Sequence, residues 1–134
     1  MKIRNAKFSD AERCMLIATD ESETPFTVQT FKDSTKNKNA IFLVLEENKI
    51  VQGYVIGFVS PVDPKECLLQ ETHVHIPQRN KGYATQLVNA FCTEANKRGV
   101  KVITAYVEDD TIGFYNKQGF TKSKTQWIEI SKRL

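Results

Sequence analysis

Apolar residues in the first half of the chain change rhythm several times, and each rhythm predicts an element. Lys2 to Phe8 reads as a short opening strand. Ala11, Cys14, Met15 and Ala18 then recur at helical spacing, with Ser9 as N-cap and Glu12 three residues on to complete a capping box. Thr24-Pro25 reads as a second helix start, a cap residue followed by proline in the first turn. Phe26, Val28 and Phe31 are its apolar anchors, and the polar run Lys32 to Asn39 ends it. Three strand-like runs follow, Ala40–Glu46, Ile50–Ser60 and Cys67–Ile76, separated by turns at Glu47-Asn48-Lys49 and Pro61–Pro64. They predict an antiparallel meander, with Gly53 and Gly57 marking bulges.

The second half is patterned differently. From Tyr83 to Arg98, apolar residues sit at Ala84, Leu87, Val88, Phe91, Cys92 and Ala95, one face of an amphipathic helix. Lys97 and Arg98 suit its last turn and Gly99 its C-terminal cap. Val100 to Val107 reads as a strand, so strand, helix and strand imply a crossover and a parallel pair. Asp109 or Asp110 is placed to cap a short helix running to Gln118, which Gly119 stops. Phe120 to Arg133 supplies final strand material, with Ile128 and Ile130 on one face.

The chain has 134 residues, which predicts one domain over 1–134 of mixed α+β class. Its 40% hydrophobic and 26% charged residues suit a packed core. The longest apolar run, Ala40 to Leu45, is too short for a membrane span, and Met1 to Asn5 holds no signal core. Cys14, Cys67 and Cys92 are far apart and odd in number, so reduced thiols and a cytoplasmic location are expected. His73, His75 and Cys67 lack a fourth ligand at a metal-site spacing, so no metal is expected. Net charge is +3. Residues 1–67 hold nine basic and ten acidic residues, and residues 68–134 hold ten and six. That tilt is too slight for a dedicated nucleic-acid surface, but it suits a small anionic ligand on the second half.

The informative segment is Arg79-Asn80-Lys81-Gly82-Tyr83-Ala84, between a strand and the long helix. A glycine-bearing loop that opens a helix aims several N–H groups at one point, and the helix dipole adds positive charge there. Both favour phosphate. Thirty-one residues after Gly82 comes Gly-Phe-Tyr-Asn-Lys-Gln-Gly-Phe, from Gly113 to Phe120. With an Arg-x-x-Gly-x-Ala loop ahead of it, residues 67 to 134 resemble the GNAT acetyltransferase superfamily. Ile112 to Lys122 is most similar to its histone acetyltransferase branch, and the first half matches in element order. Two departures stand out. Ile76 occupies a position where proline is usual, with Pro77 one place on, and Ala84 stands where glycine is commoner.

The resemblance implies a central mixed, mostly antiparallel sheet with two splayed middle strands, helices on both faces, and acetyl-coenzyme A in the gap. It implies pyrophosphate binding by Arg79, Asn80, Lys81, Gly82, Tyr83 and Ala84, and pantetheine contacts from Thr72, His73 and Val74. Tyr115 and Lys117 complete the cofactor-binding set. The activity implied is direct acetyl transfer to a primary amine in a ternary complex. The acceptor is a protein lysine, a protein N-terminus or a small amine. A non-catalytic acyl-coenzyme A sensor on the same fold is the alternative. Expected partners are the acceptor and, for assembly, none or a second copy, with neither nucleic acid nor membrane.

A neutral amine must attack the thioester, and deprotonating a lysine-like amine at pH 7 costs roughly 4–5 kcal/mol. Tyr115 is the candidate acid for the departing thiolate, by the superfamily's use of tyrosine at that place. The titratable groups before the loop, Glu71 and His73, are the base candidates, along with Glu66 at the strand start. Simple alternation puts Glu71, His73 and His75 on one face and Leu68, Gln70, Thr72 and Val74 on the other. The family's register turns the Val74 face to the active site, so only a bulge would bring Glu71 or His73 inward. Phe26 and Phe31, on the second helical segment, are the candidate acceptor-lining residues.

Overall fold

The computed structural model describes residues 1–20, 23–125 and 127–134. Strands β1 (Lys2–Asn5), β2 (Ala40–Glu47), β3 (Ile50–Val59), β4 (Glu66–Val74) and β5 (Val102–Thr104) lie side by side in that order. The first four run antiparallel, and β5 joins β4 in parallel. Helices α1 (Ala11–Thr19) and α2 (Val28–Ser34) cover one face, and α3 (Tyr83–Lys97) covers the other. The short α4 (Ile112–Lys117) follows β5, and its Phe114 and Tyr115 pack against the α3-side core. The expected mixed α+β sheet with helices on both faces is therefore present. No helix among the described residues is long and apolar enough to cross a membrane.

Alternation along β2 and β3 sorts the core into two chemistries. Ile41, Leu43, Leu45 and Val55 meet Leu87, Val88 and Phe91 of α3. Phe42, Val44, Tyr54 and Ile56 meet Cys14 and Ile17 of α1 and Phe31 of α2. Between β2 and β3, Asn48 and Lys49 both take left-handed backbone (φ 52° and 65°), as a two-residue hairpin turn requires.

Bulges sit beside both glycines of β3. The pairing slips between Leu45 and Glu46, opposite Gly53, and again between Ile56 and Gly57. Gly57 is required by close approach: a Cβ there would stand 2.3 Å from the Leu68 carbonyl oxygen and 2.5 Å from the Phe91 ring. The second slip pairs Ile56 with Glu71 and Gly57 with Leu69, so Gln70 is the extra residue of β4.

Several expected boundaries move. The cap of α1 is Asp10 rather than Ser9, and its carboxylate accepts the Lys7 N–H at 2.7 Å. Helix α2 starts at Val28, because Thr27 and Thr30 cap each other reciprocally (2.6 and 3.1 Å). A capping pair with both donors satisfied outcompetes Thr24-Pro25. Neither Asp109 nor Asp110 makes a side-chain cap. These two residues and Thr111 form a single 3-10 turn ahead of α4. The strand expected over Val100–Val107 shrinks to three residues. None forms in the described part of Phe120–Arg133, and Ile128 and Ile130 are exposed there. Gln126, within that run, lies outside the described residues.

Candidate active site

The parallel pairing of β4 with β5 covers only Glu66 to Leu68 against Val102 to Thr104. Beyond it the two strands are not paired, so the second half of β4 borders a gap. This is the expected splay. At the far end of β4 the chain makes a 3-10 turn (Ile76–Gln78) and enters the loop Arg79–Gly82 ahead of α3. Asn80 and Gly82 are left-handed (φ 65° and 79°), which turns successive peptide planes toward one side. The first N–H of the α3 region to bond along the chain is that of Gln86, to the Gly82 carbonyl at 3.1 Å. The N–H groups of Tyr83, Ala84 and Thr85 are thus the unpaired donors of a helix start, with the dipole's positive end behind them.

Side chains fix this loop. Arg79 donates from Nε to the Val74 carbonyl (3.1 Å), tying the loop to the end of β4. Lys81 Nζ donates to Gln78 Oε1 at 2.6 Å. The hydroxyl of Tyr83, whose ring is buried, donates to the Glu47 carboxylate at the end of β2. Asn80, Lys81 and Gly82 themselves are exposed, as groups meeting a solvated pyrophosphate need to be. Left-handed backbone, unpaired N–H groups and the exposed Lys81 together fit a bound diphosphate.

Tyr115 projects from α4 against the same core, edge-on to Phe114 and Phe120 (ring centroids 5.0 and 5.4 Å). Burial pushes its phenol pKa up, and an interaction with the Thr72 hydroxyl pulls it partly back. It therefore stays protonated at neutral pH, as a proton donor must. Thr72 of β4 and Tyr115 of α4 are thus near each other, and the buried Thr72 hydroxyl has no hydrogen-bond partner among the described residues. Lys117, two residues on, is exposed.

The Gln70 bulge decides which face each residue of β4 serves. Before it, Cys67 and Leu69 point to the α3 core; after it, Val74 does. Leu68 and Gln70 therefore do not share the Val74 face as simple alternation predicted. Burial pushes the Cys67 thiol up to about 11, so it is a core thiol and not a nucleophile.

Glu71 and His73 lie on the opposite face, under α1 and α2. The bulge did not bring them to the Val74 side. It moved the first half of β4 instead, and left Glu71 inside a polar cluster that the sequence did not indicate. Glu71 accepts the Tyr54 hydroxyl at Oε2 (2.8 Å) and the Thr24 hydroxyl at Oε1 (2.6 Å), and His73 Nε2 lies 3.9 Å from Oε2. Tyr54 is fully buried. Burial first, and then the negative charge of Glu71 and the bond to it, hold its phenol strongly protonated. Alternation alone gave no reason to single out Tyr54 or Thr24. The signals available were a tyrosine at the middle of β3 and a threonine ahead of a proline.

Phe31 is fully buried and T-shaped to Tyr54 (5.3 Å), so it forms the floor of the α1–α2 core and does not line a binding surface. Phe26 is half-buried and stacks on Phe31 at 4.9 Å, beside Thr24. His75 holds Asp20 at the end of α1, Nδ1 to Oδ2 2.9 Å. Glu66 is exposed at the paired end of β4 and β5. There a cavity of about 380 Å³ is lined by Phe58, Pro61, Glu66, Leu68, Thr104 and Tyr106 among others. No group of three or more potential metal ligands occurs among the described residues.

With this geometry in place, the model of the acetyltransferase (GNAT) family matches residues 6–120. Among solved structures, the chain is similar to a PaiA N-acetyltransferase from Thermoplasma acidophilum in complex with coenzyme A. The TM-score is 0.78 at 14% identity, over 93% of this chain and 92% of that one. It is similar to a ribosomal-protein-alanine N-acetyltransferase from Brucella melitensis, with TM-score 0.74 at 16% identity over the full length of both. It is also similar to an aminoglycoside acetyltransferase from an uncultured soil metagenomic sample, solved with sisomicin. Here the TM-score is 0.75 at 11% identity, over 99% and 95% of the two chains. No curated protein matches the chain in sequence.

Proposed function

Because the chain belongs to the GNAT acetyltransferase family, we propose that it moves an acetyl group from acetyl-coenzyme A to a primary amine by direct attack in a ternary complex. The observation that carries this reading is the position of the gap. Pairing of β4 with β5 stops at Leu68 and Thr104, so the second half of β4, which leads to the α3 loop, is not paired with β5, and Tyr115 of α4 lies near its Thr72. The coenzyme brings an activated thioester. The protein's tasks are to hold the diphosphate at Arg79–Ala84, align the acyl arm along Thr72–Val74, and manage two protons.

Those protons fall to the two faces of β4. Tyr115 protonates the leaving sulfur from the α3 side. Glu71, held by Tyr54 and Thr24, is the acceptor-side base, acting on the ammonium directly or through one water, with His73 as its neighbour. Burial of Tyr115 supports the first role, because a phenol that resists ionisation keeps its proton until the thiolate forms. Phe26, beside Thr24, borders the acceptor's approach.

The acceptor is a lysine side chain, a protein N-terminus or a small amine. The structurally similar enzymes are named for acceptors as different as a ribosomal-protein alanine and an aminoglycoside. The similarity of residues Ile112–Lys122 to histone acetyltransferases lies in the cofactor-binding half and does not choose within that set. The chain works as a monomer or homodimer in the cytoplasm.

Two measurements test the proposal. Acetyl-coenzyme A should raise the melting temperature. Thiol release should appear with at least one acceptor from a panel of lysine peptides, free N-terminal peptides, polyamines, amino acids and aminoglycosides. Stabilisation without transfer to any of them would make this an acyl-coenzyme A sensor. No stabilisation at saturating coenzyme would remove both readings.

A further inference from the structure

Thr24 lies in the segment between α1 and α2, outside every regular element, yet its hydroxyl makes a 2.6 Å bond to Glu71, forty-seven residues away. The same oxygen accepts the Phe26 N–H at 3.1 Å. With that lone pair engaged by the backbone, the hydroxyl proton is left to point at Glu71. The segment is anchored to β4 a second time, where Asp20 meets His75. Glu71 is thus gripped at both oxygens, by Tyr54 from a rigid core and by Thr24 from a connecting segment.

We propose that Thr24 is a positioning residue for acetyl transfer, holding the Glu71 carboxylate in the orientation that receives the amine proton. The proposal rests on Glu71 being the base. Among the described residues, Tyr54 from β3 and His73 from β4 also face this carboxylate. Tyr54 is a fully buried part of the core, so Thr24 is the hydroxyl on Glu71 that can be removed without opening that core.

The test uses the whole chain and thiol-release kinetics. Thr24→Val should lower kcat about tenfold for the fastest acceptor of the panel, with the KM for acetyl-coenzyme A unchanged. Thr24→Ser should restore kcat, and Thr24→Ala serves as the deletion if the valine variant is unstable. A wild-type kcat in Thr24→Val overturns the proposal, and so does a loss that Thr24→Ser does not restore. If Glu71→Gln itself turns over at the wild-type rate, the base assignment fails first and takes the role of Thr24 with it.

Discussion

The two faces of the sheet are built from the same strands but do opposite work. On the α3 face the core is mostly aliphatic, closely approached by backbone at Gly53 and Gly57, and its polar activity sits in main-chain N–H groups at the start of α3. On the α1–α2 face aromatic rings stack from Phe26 through Phe31 to Phe42 and Tyr54, and the activity sits in side chains, Glu71, Tyr54 and Thr24. Main-chain recognition tolerates many side-chain changes but few backbone ones. Side-chain chemistry has the opposite sensitivity. On the proposed assignment, the cofactor takes the first face and the acceptor the second.

The largest way to break this contrast is to put a methyl group into the α3 face. Gly57→Ala has no room, because its closest neighbour is a backbone carbonyl that cannot rotate away. It should cost about 3 kcal/mol or more, the upper range for overpacking. Urea denaturation and calorimetry should both register the loss. A variant of wild-type stability would mean that the β3–β4 approach is looser than described.

Next come the two proton-handling groups. Tyr115→Phe and Glu71→Gln should each lower kcat roughly 100-fold or more while leaving acetyl-coenzyme A affinity unchanged. Isothermal titration beside thiol-release kinetics separates the two quantities. A loss of coenzyme affinity in Glu71→Gln would mean that the two faces are not chemically divided.

A smaller effect tests the loop. Gly82→Ala meets no atom within 4 Å, but its φ of 79° disfavours a side chain by roughly 1–2 kcal/mol. Binding of acetyl-coenzyme A should weaken several-fold, and the wild-type affinity in this variant would place the diphosphate elsewhere.

The smallest effect sits away from both sites. Burial alone would raise the Asp10 carboxyl, but hydrogen bonds from Arg4 and the Lys7 N–H, with the Arg4 charge, bring it below the usual range. Its folded pKa is depressed, so its stabilisation is complete above the unfolded value of about 3.9 and fades as pH falls through the folded one. Asp10→Asn should lose at most about 1 kcal/mol at pH 7 and nothing near pH 2, as read by denaturation at the two pH values.

Legibility in the sequence divided along the same line. The Arg79–Ala84 loop and α3 were readable because each is local: a glycine, a helical repeat and a cap within twenty residues. The faces of β4 were not, because the residue that sets them, Gln70, carries no mark of its own. The mark lies across the ladder at Gly57, and only pairing shows that the two are opposed. Thr24 was read as a cap because Thr-Pro before an apolar residue is a good local signal. The reciprocal bonds of Thr27 and Thr30 won that role and released Thr24 for a long-range bond. The alternation from Trp127 to Ile130 has a strand's rhythm, but a strand also needs a partner, and these side chains face solvent.

Gln70 has one further consequence. It works like an inserted letter in a reading frame: every position after it is read on the other side of the sheet. Deleting it would leave Leu69 opposite Gly57 and Glu71 opposite Ile56, the pairs they already form. Glu71 and Thr72 would keep their faces, and only the bulge would close. The middle of β4 can therefore lose one residue at Gln70 with every functional side chain still facing its own side of the sheet.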